Sequence, residues 1–352
     1  MGVWSVITSK NFLILTLFIL ATSISIWLLT MPTPTFQNIM FETHKQITTN
    51  LKNINVMSSS HKSHEVNLDE TYMELLGFTA NPQLYPDGLR NSEIPVIVTA
   101  VTNDNYEDSI QLLQSVQKYL FNNQVHIYDL GLGSPELVSL QKHCNTSNRC
   151  VVKSFDFEKF PHHVHNMHMK AYKPIAIQQA LVEYGAILWT EGKDYFISSD
   201  VLPLLKQAQN YGIVAWIIES RDSTSAMTHP RMFTYFKTHT SKYYFQHMVG
   251  SDHLIIYNTK RIHKEMMLPW VKCALDRECV HPLGAQGVGC DARRKPKYLY
   301  MGCHHFEASA LNIILGLMFG TEDEVPTYTS QVMIFGKEND QNNTTTKLPT
   351  TR

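Results

Sequence analysis

The chain of 352 residues carries 30 Lys and Arg against 31 Asp and Glu, a formal net charge of -1, and 43% of its residues are hydrophobic. Near-neutrality without a basic block removes the electrostatic footprint of nucleic-acid binding. The apolar share excludes a wholly disordered chain and leaves, beyond the N-terminal segment, about 300 residues, enough for one large α/β domain or two smaller ones.

In chain order, the first feature is Phe12 to Leu29, FLILTLFILATSISIWLL, inside a stretch with no charged residue between Lys10 and Glu42. A helix of that length rises about 27 Å, close to the hydrocarbon thickness of a bilayer. The segment therefore reads as a membrane signal anchor over 12–30, behind a short cytosolic tail, 1–11. A cleaved signal peptide is the competing reading, since Ala21-Thr22-Ser23 offers small residues after an apolar run; apolar character resumes at Ile24, Ile26, Trp27, Leu28 and Leu29. The flanking charges, Lys10 on one side and Lys45 and Lys52 on the other, leave the orientation open.

All six cysteines lie after this segment. Neighbour pairing would join Cys144 with Cys150, Cys273 with Cys279 and Cys290 with Cys303, although six cysteines allow about fifteen connectivities. Paired, they indicate an oxidising lumen; reduced, they would be core residues of a cytosolic domain. Three glycosylation acceptors, Asn145, Asn342 and Asn343, fit the lumen. A single-pass type II protein of the Golgi or endoplasmic reticulum, with its domain lumenal, is the expected layout. Residues 31–91, rich in Thr, Ser, Asn, His and Pro, read as a stem, and 337–352 as a disordered tail.

Between them, 92–336 alternates strand and helix patterns. Ile94 to Val101 is a β-branched run; Asp108 to Phe121 carries a helical stripe at Ile110, Leu112, Leu113, Val116, Tyr119 and Leu120. Val125 to Leu130 is a second strand, and Ser134-Pro135 starts a helix through His143 with a capping serine and a first-turn proline. Val151 to Phe157, a helix from Lys173 to Tyr184, Ala186 to Thr190, Gly212 to Ile218 and His253 to Tyr257 follow, with closing helices at Glu265 to Leu275 and Ala308 to Phe319. Such βαβα alternation predicts a mostly parallel sheet flanked by helices, with ligands at the carboxyl ends of the strands.

Several ordered segments carry a resemblance: Pro269-Trp-Val-Lys-Cys-Ala-Leu, Glu278-Cys-Val-His-Pro, Gly302-Cys-His-His-Phe-Glu-Ala-Ser-Ala-Leu-Asn-Ile-Ile-Leu, Ala171-Tyr-Lys-Pro, Leu188-Trp189 and Thr228-His-Pro-Arg-Met. From Ile94 to Phe335 the chain resembles a family of uncharacterised invertebrate proteins, abundant in nematodes, that looks like a branch of the GT-A nucleotide-sugar glycosyltransferases. The resemblance implies a GT-A-like fold with a Rossmann-like nucleotide-binding half, a nucleotide-sugar donor, and a carboxylate pair holding Mn²⁺ or Mg²⁺ at a strand end.

No Asp-x-Asp occurs in the chain; Glu191 and Asp194, in Trp189-Thr-Glu-Gly-Lys-Asp, stand at that position as metal candidates. A polar turn ending a strand is the alternative there. Thr99, Asn103, Lys173, Trp189 and His304 are candidates for the nucleotide sugar, Lys173 because an ammonium opening a helix meets phosphate as a point charge. Glu219, Asp222 and Glu307 are catalytic candidates; Glu219 and Asp222, just past a strand, suit a general base or a loop cap. Within Cys303 to Ala308 the resemblance implies a basic residue where His305 stands and Asp-Gln where Glu307-Ala308 stand.

The expected function is sugar transfer from a nucleotide sugar to a glycan or glycoprotein acceptor, with enzyme activity left open. A catalytically silent lumenal binding protein on the same fold is the second reading. The third is a zinc-dependent hydrolase using His162, His163, His165 and His168, whose dense spacing invites a metal. The sequence leaves the oligomeric state open.

Overall fold

The computed structural model describes residues 10–30, 70–79, 84–85, 95–147, 149–191, 194–320, 326–327 and 334–337. The chain divides into two compact units, Met1–Asp69 and Glu70–Arg352. Most of the 31–91 segment, the tail beyond Lys337, and Asn342 and Asn343 lie outside the described residues.

In the first unit the expected apolar segment forms one α-helix, α1 (Lys10–Thr30). Three of its hydroxyls bond within the helix: Thr22 and Ser23 donate to the Ile19 carbonyl at 2.9 and 2.8 Å, and Ser25 donates to that of Ala21 at 2.9 Å. Its large side chains from Ile14 to Trp27 are exposed. Among the described residues no helix is long and apolar enough to cross a membrane.

The second unit is a three-layer α/β domain. Its strands are β1 (Val96–Val101), β2 (Val125–Asp129), β3 (Cys150–Ser154), β4 (Ala186–Thr190), β5 (Asp194–Phe196), β6 (Ile213–Ile217), β7 (Val249–Tyr257) and β8 (Phe335–Lys337). Six form one sheet in the order β3-β2-β1-β4-β7-β6, and β5 pairs with β8 in a small second sheet. β3, β2, β1 and β4 are mutually parallel, whereas β7 runs antiparallel to both β4 and β6. Five of the six strands thus point one way, as a mostly parallel sheet requires. The reversed β7 brings its first residues to the edge where the others end.

Helices cover both faces. On one lie α4 (Tyr172–Tyr184), α7 (Leu268–Leu275) and α9 (Phe306–Phe319); on the other, α2 (Tyr106–Tyr119), α3 (Ser134–Ser147) and α5 (Leu202–Tyr211). The short α6 (Pro230–Tyr235) and α8 (Arg277–Val280) complete the set used here. α9, FEASALNIILGLMF, is apolar nearly all round because nearly all of it is buried. α4 opens with Pro174 in its first turn, where no backbone donor is needed, and ends on Gly185 at φ 73°, a conformation glycine adopts at little cost.

The expected elements recur, but α5, α6, β5 and β8 have no counterpart in the sequence pattern, and Met73, Leu76 and Tyr85, within the expected stem, are buried in the core of the second unit. β7 begins at Val249, four residues before the expected start at His253. The six cysteines form the three neighbour pairs, Cys144–Cys150, Cys273–Cys279 and Cys290–Cys303. Asn145 is exposed near the end of α3.

Candidate functional site

At the strand-end edge, a buried ionic cluster joins α4, β4, β7 and α9. Lys173, in the first turn of α4, has no exposed surface. Its ammonium contacts Glu191 Oε1 just beyond β4, Glu307 Oε1 at 3.0 Å and Asp252 Oδ1 at 3.2 Å. It also donates to Ser251 Oγ at 2.8 Å, and that hydroxyl donates onward to Glu307 Oε1 at 2.8 Å. Lys170 adds a second ammonium, 3.1 Å from Glu191 Oε1 and 3.2 Å from Asp252 Oδ1, and Tyr172 donates to Glu191 Oε2 at 3.3 Å. The Ala308 N–H reaches Glu307 Oε2.

Backbone pairing sets this geometry. Thr190 on β4 stands opposite His253 on β7, and the Glu191 N–H donates to the Asp252 carbonyl at 3.0 Å. Asn312 on α9 fixes the head of β7: its Oδ1 accepts from Val249 N–H and its Nδ2 donates to the Val249 carbonyl, both at 2.8 Å. Trp270 holds the start of α9 by donating to the Glu307 carbonyl at 2.8 Å.

Burial opposes the charge on Lys173, yet Glu191, Glu307 and Asp252 outweigh it and hold the ammonium well above the ordinary lysine range. Burial pushes the Glu191 carboxyl up while Lys173 and Lys170 pull against it. For Asp252, burial pushes up and is overcome by Lys173 and Lys170, so this carboxyl lies well below the usual range. Asp252 also has the most exposed side chain of the three, 52% against 6% and 3% for Glu191 and Glu307.

His305 precedes α9 with its Nε2 lacking a hydrogen-bond partner among the described residues. Burial lowers its pKa, with Glu307, Asp252 and Asp222 pulling the other way. Among the described residues four non-glycines take positive φ, and three of them, Lys170 (48°), Arg221 (50°) and Phe306 (45°), adjoin these groups in sequence. Strained backbone of this kind persists where surrounding structure over-determines it, and it clusters at functional sites. Over Phe306 lies the loop carrying Gly287, where a Cβ would sit 2.6 Å from His168 Nε2 and 2.7 Å from the Phe306 ring.

The structure separates several expected partners. Glu191 and Asp194 do not converge as a metal pair: Asp194 opens β5 and pairs through Oδ2 with His253 Nε2 at 2.8 Å, away from the lysines. Both oxygens of Glu191 are already contacted by donors, so the residues present do not fit a divalent ion there. Thr190, His253 and Asp194 form a hydrogen-bonded chain in hydrolase-triad order, but Thr190 is wholly buried and no substrate reaches it.

Thr99 and Trp189 lie inside β1 and β4 with almost no exposed surface, so neither lines a cleft. His304 is also enclosed: Nδ1 accepts from His229 N–H at 3.2 Å, Nε2 donates to the Val280 carbonyl at 3.1 Å, and burial lowers its pKa to about 3. It is a structural histidine. Asn103, exposed on the loop after β1, accepts from Gly133 N–H at 2.8 Å and ties the β1 and β2 loops together on the same sheet edge. Glu219 is exposed and Asp222 half-buried beyond β6.

The four histidines of 162–168 do not converge either. His163 Nε2 bonds the Ala274 carbonyl at 2.8 Å, and His168 packs against Phe306. Among the described residues the one grouping of ligand atoms close enough for a metal is Cys290, Cys303 and His305, and its two sulfurs are already joined in a disulfide. This removes the observation behind a zinc hydrolase. Asp252, Ser251 and Lys170 are site residues that sequence reading missed; the only available signal was Ser251-Asp252 immediately ahead of an apolar strand.

A family model described as "Protein of unknown function (DUF1647)" matches residues 49–178. No curated protein matches the chain. Solved structures that are similar include the WbbM bifunctional glycosyltransferase in its apo form (TM-score 0.44, 10% identity, covering 72% of this chain and 40% of that one). The mannosyltransferase Ktr4p from S. cerevisiae matches with TM-score 0.38 and 12% identity over 72% of this chain and 75% of that one. Mouse xyloside xylosyltransferase 1 matches with TM-score 0.39 and 12% identity over 67% and 84%. The chain thus spans 40% of the WbbM protein it matches.

Proposed function

We propose that this protein is a GT-A-type glycosyltransferase that takes a nucleotide sugar at the carboxyl edge of its sheet and transfers the sugar to a glycan or glycoprotein acceptor in the secretory lumen. The observation that carries this reading is the ionic cluster of Lys170, Lys173, Glu191, Asp252 and Glu307, placed where an open α/β sheet binds its ligands. Lys170, the partly exposed ammonium of the cluster, is the group assigned to the donor diphosphate. Catalysis would come from positioning and from electrostatic stabilisation of the departing diphosphate.

A silent binding protein on the same scaffold is favoured by one observation: Glu191 and Glu307 have donors on both carboxylate oxygens. Purified protein should be stabilised by a nucleoside diphosphate or its sugar in a thermal-shift screen, and should release free nucleotide when donor and acceptor are supplied together. A shift without turnover on any acceptor selects the silent binder; a folded sample that responds to no nucleotide sinks both.

The lumenal placement is supported by the three disulfides, which form and persist in an oxidising compartment. Microsomes containing the protein should protect residues 70–352 from added protease until detergent is supplied. Digestion of that unit in sealed microsomes overturns the placement.

A further inference from the structure

We propose that Lys170 and Lys173 take the place of a divalent cation at this strand end, so that a nucleoside diphosphate is held here without metal. The inference rests on the nucleotide-binding reading above and specifies its chemistry.

The first support is steric and electrostatic. Glu191 Oε1 is in contact with both ammonium groups, one of them at 3.1 Å, and Oε2 takes the Tyr172 hydroxyl. Mg²⁺ bound to a carboxylate oxygen sits about 2.0–2.1 Å from it. An ion on Glu191 would therefore lie within roughly 5 Å of two positive charges inside a buried site, where repulsion is least screened. Glu307 is equally committed, to Lys173 and Ser251 on one oxygen and to the Ala308 N–H on the other.

Lys173 cannot step aside to admit an ion. Its side chain is wholly buried, and four oxygens besides that of Glu191 surround its nitrogen, from Ser251 (two), Asp252 and Glu307. Lys170 differs: its side chain is 42% exposed, and a turn of its flexible stem carries the ammonium from Glu191 and Asp252 to a phosphate oxygen. The division of labour is plain. Lys173 neutralises the carboxylates permanently, and Lys170 is the cation presented to the ligand.

Asp252 gives the inference its sharpest discriminant. As a metal ligand it would be needed for binding. Beside a lysine that serves as the cation, it is a competing anion, half-exposed next to the phosphate position. Glu307, at the N-terminus of a 14-residue helix, is partly offset by the helix dipole; Asp252 on β7 has no such help.

The test uses the full chain purified in detergent, with UDP and GDP as probes. Calorimetry should give the same affinity in EDTA as in Mn²⁺. Lys170→Ala should weaken binding by about tenfold or more, the scale of one charge-assisted hydrogen bond, and Asp252→Asn should tighten it. Electron paramagnetic resonance of added Mn²⁺, without nucleotide, should show no ion taken up at this site. Stoichiometric Mn²⁺ uptake that disappears in Glu191→Gln overturns the inference, as does nucleotide binding that EDTA abolishes or that Asp252→Asn destroys; each of these leaves the nucleotide-binding reading standing. Absence of binding to either nucleotide in either buffer overturns that reading and the inference with it.

Discussion

Replacing Lys173 with methionine is expected to cost about 3–5 kcal/mol of folding stability, measured as a lowered urea midpoint with unchanged slope. Methionine nearly matches the lysine stem in length, so the loss comes from charge rather than from a cavity. Without the ammonium, Glu191 and Glu307 face each other and Asp252 across a site with 6%, 3% and 52% side-chain exposure. Carboxylates that lose a buried partner must protonate, rearrange or let water in, and each route costs free energy. Adding Glu307→Gln to Lys173→Met should recover part of the loss, because one of the stranded charges disappears. A single-variant loss below about 1 kcal/mol, the range of an exposed pair, would show that the cluster is effectively solvated and would sink this account.

The second large effect is acid lability through two buried histidines. Burial lowers His304 to about 3, and burial together with nearby Lys153 lowers His126 to about 4. Unfolded, both titrate near the ordinary histidine value of about 6.5. Between 6.5 and about 4 the unfolded chain therefore holds more protons than the folded one, so acidification favours unfolding. Stability should fall as pH drops through this window, by up to about 1.4 kcal/mol per pH unit for each histidine, and neither residue contributes a slope above 6.5. His304→Asn keeps a donor and an acceptor and should flatten the slope of stability against pH. An unchanged slope in both His304→Asn and a matching His126 variant would refute the assignment.

Much of the fold was legible because its signals are local. The β-branched runs at β1, β2 and β4, and the apolar continuity of α9, need only neighbours along the chain to be read. The head of β7 was not legible, since Val249-Gly250-Ser251-Asp252 has no apolar alternation and is held in place by Ile217 on β6, by the Glu191 N–H on the Asp252 carbonyl and by Asn312 on α9. Those unread residues include two that meet Lys173. Trp189 shows the opposite failure: it sits on the expected strand, but a central strand is covered on both faces, so belonging to the strand removed it from any cleft.

The carboxylates failed for a similar reason. Glu191 and Asp194 are three residues apart, which on paper suggests a pair, yet Asp194 already belongs to β5 and turns to His253. Lys173 was readable as a charge opening a helix. Lys170 was not, because its left-handed backbone at φ 48° is imposed by the surrounding fold. Sequence spacing located the neighbourhood, and strand pairing chose the members.

The three disulfides have a consequence for how the molecule is made. Each joins a cysteine to the next one along the chain, with separations of 6, 6 and 13 residues. During synthesis from the N-terminus, the correct partner of the first, third and fifth cysteines, Cys144, Cys273 and Cys290, is in each case the next thiol to emerge. Oxidation in order of appearance therefore yields the native connectivity without an isomerase having to undo earlier bonds. None of the links fastens distant parts of the sheet, so the strand order rests on strand pairing and packing rather than on covalent cross-links.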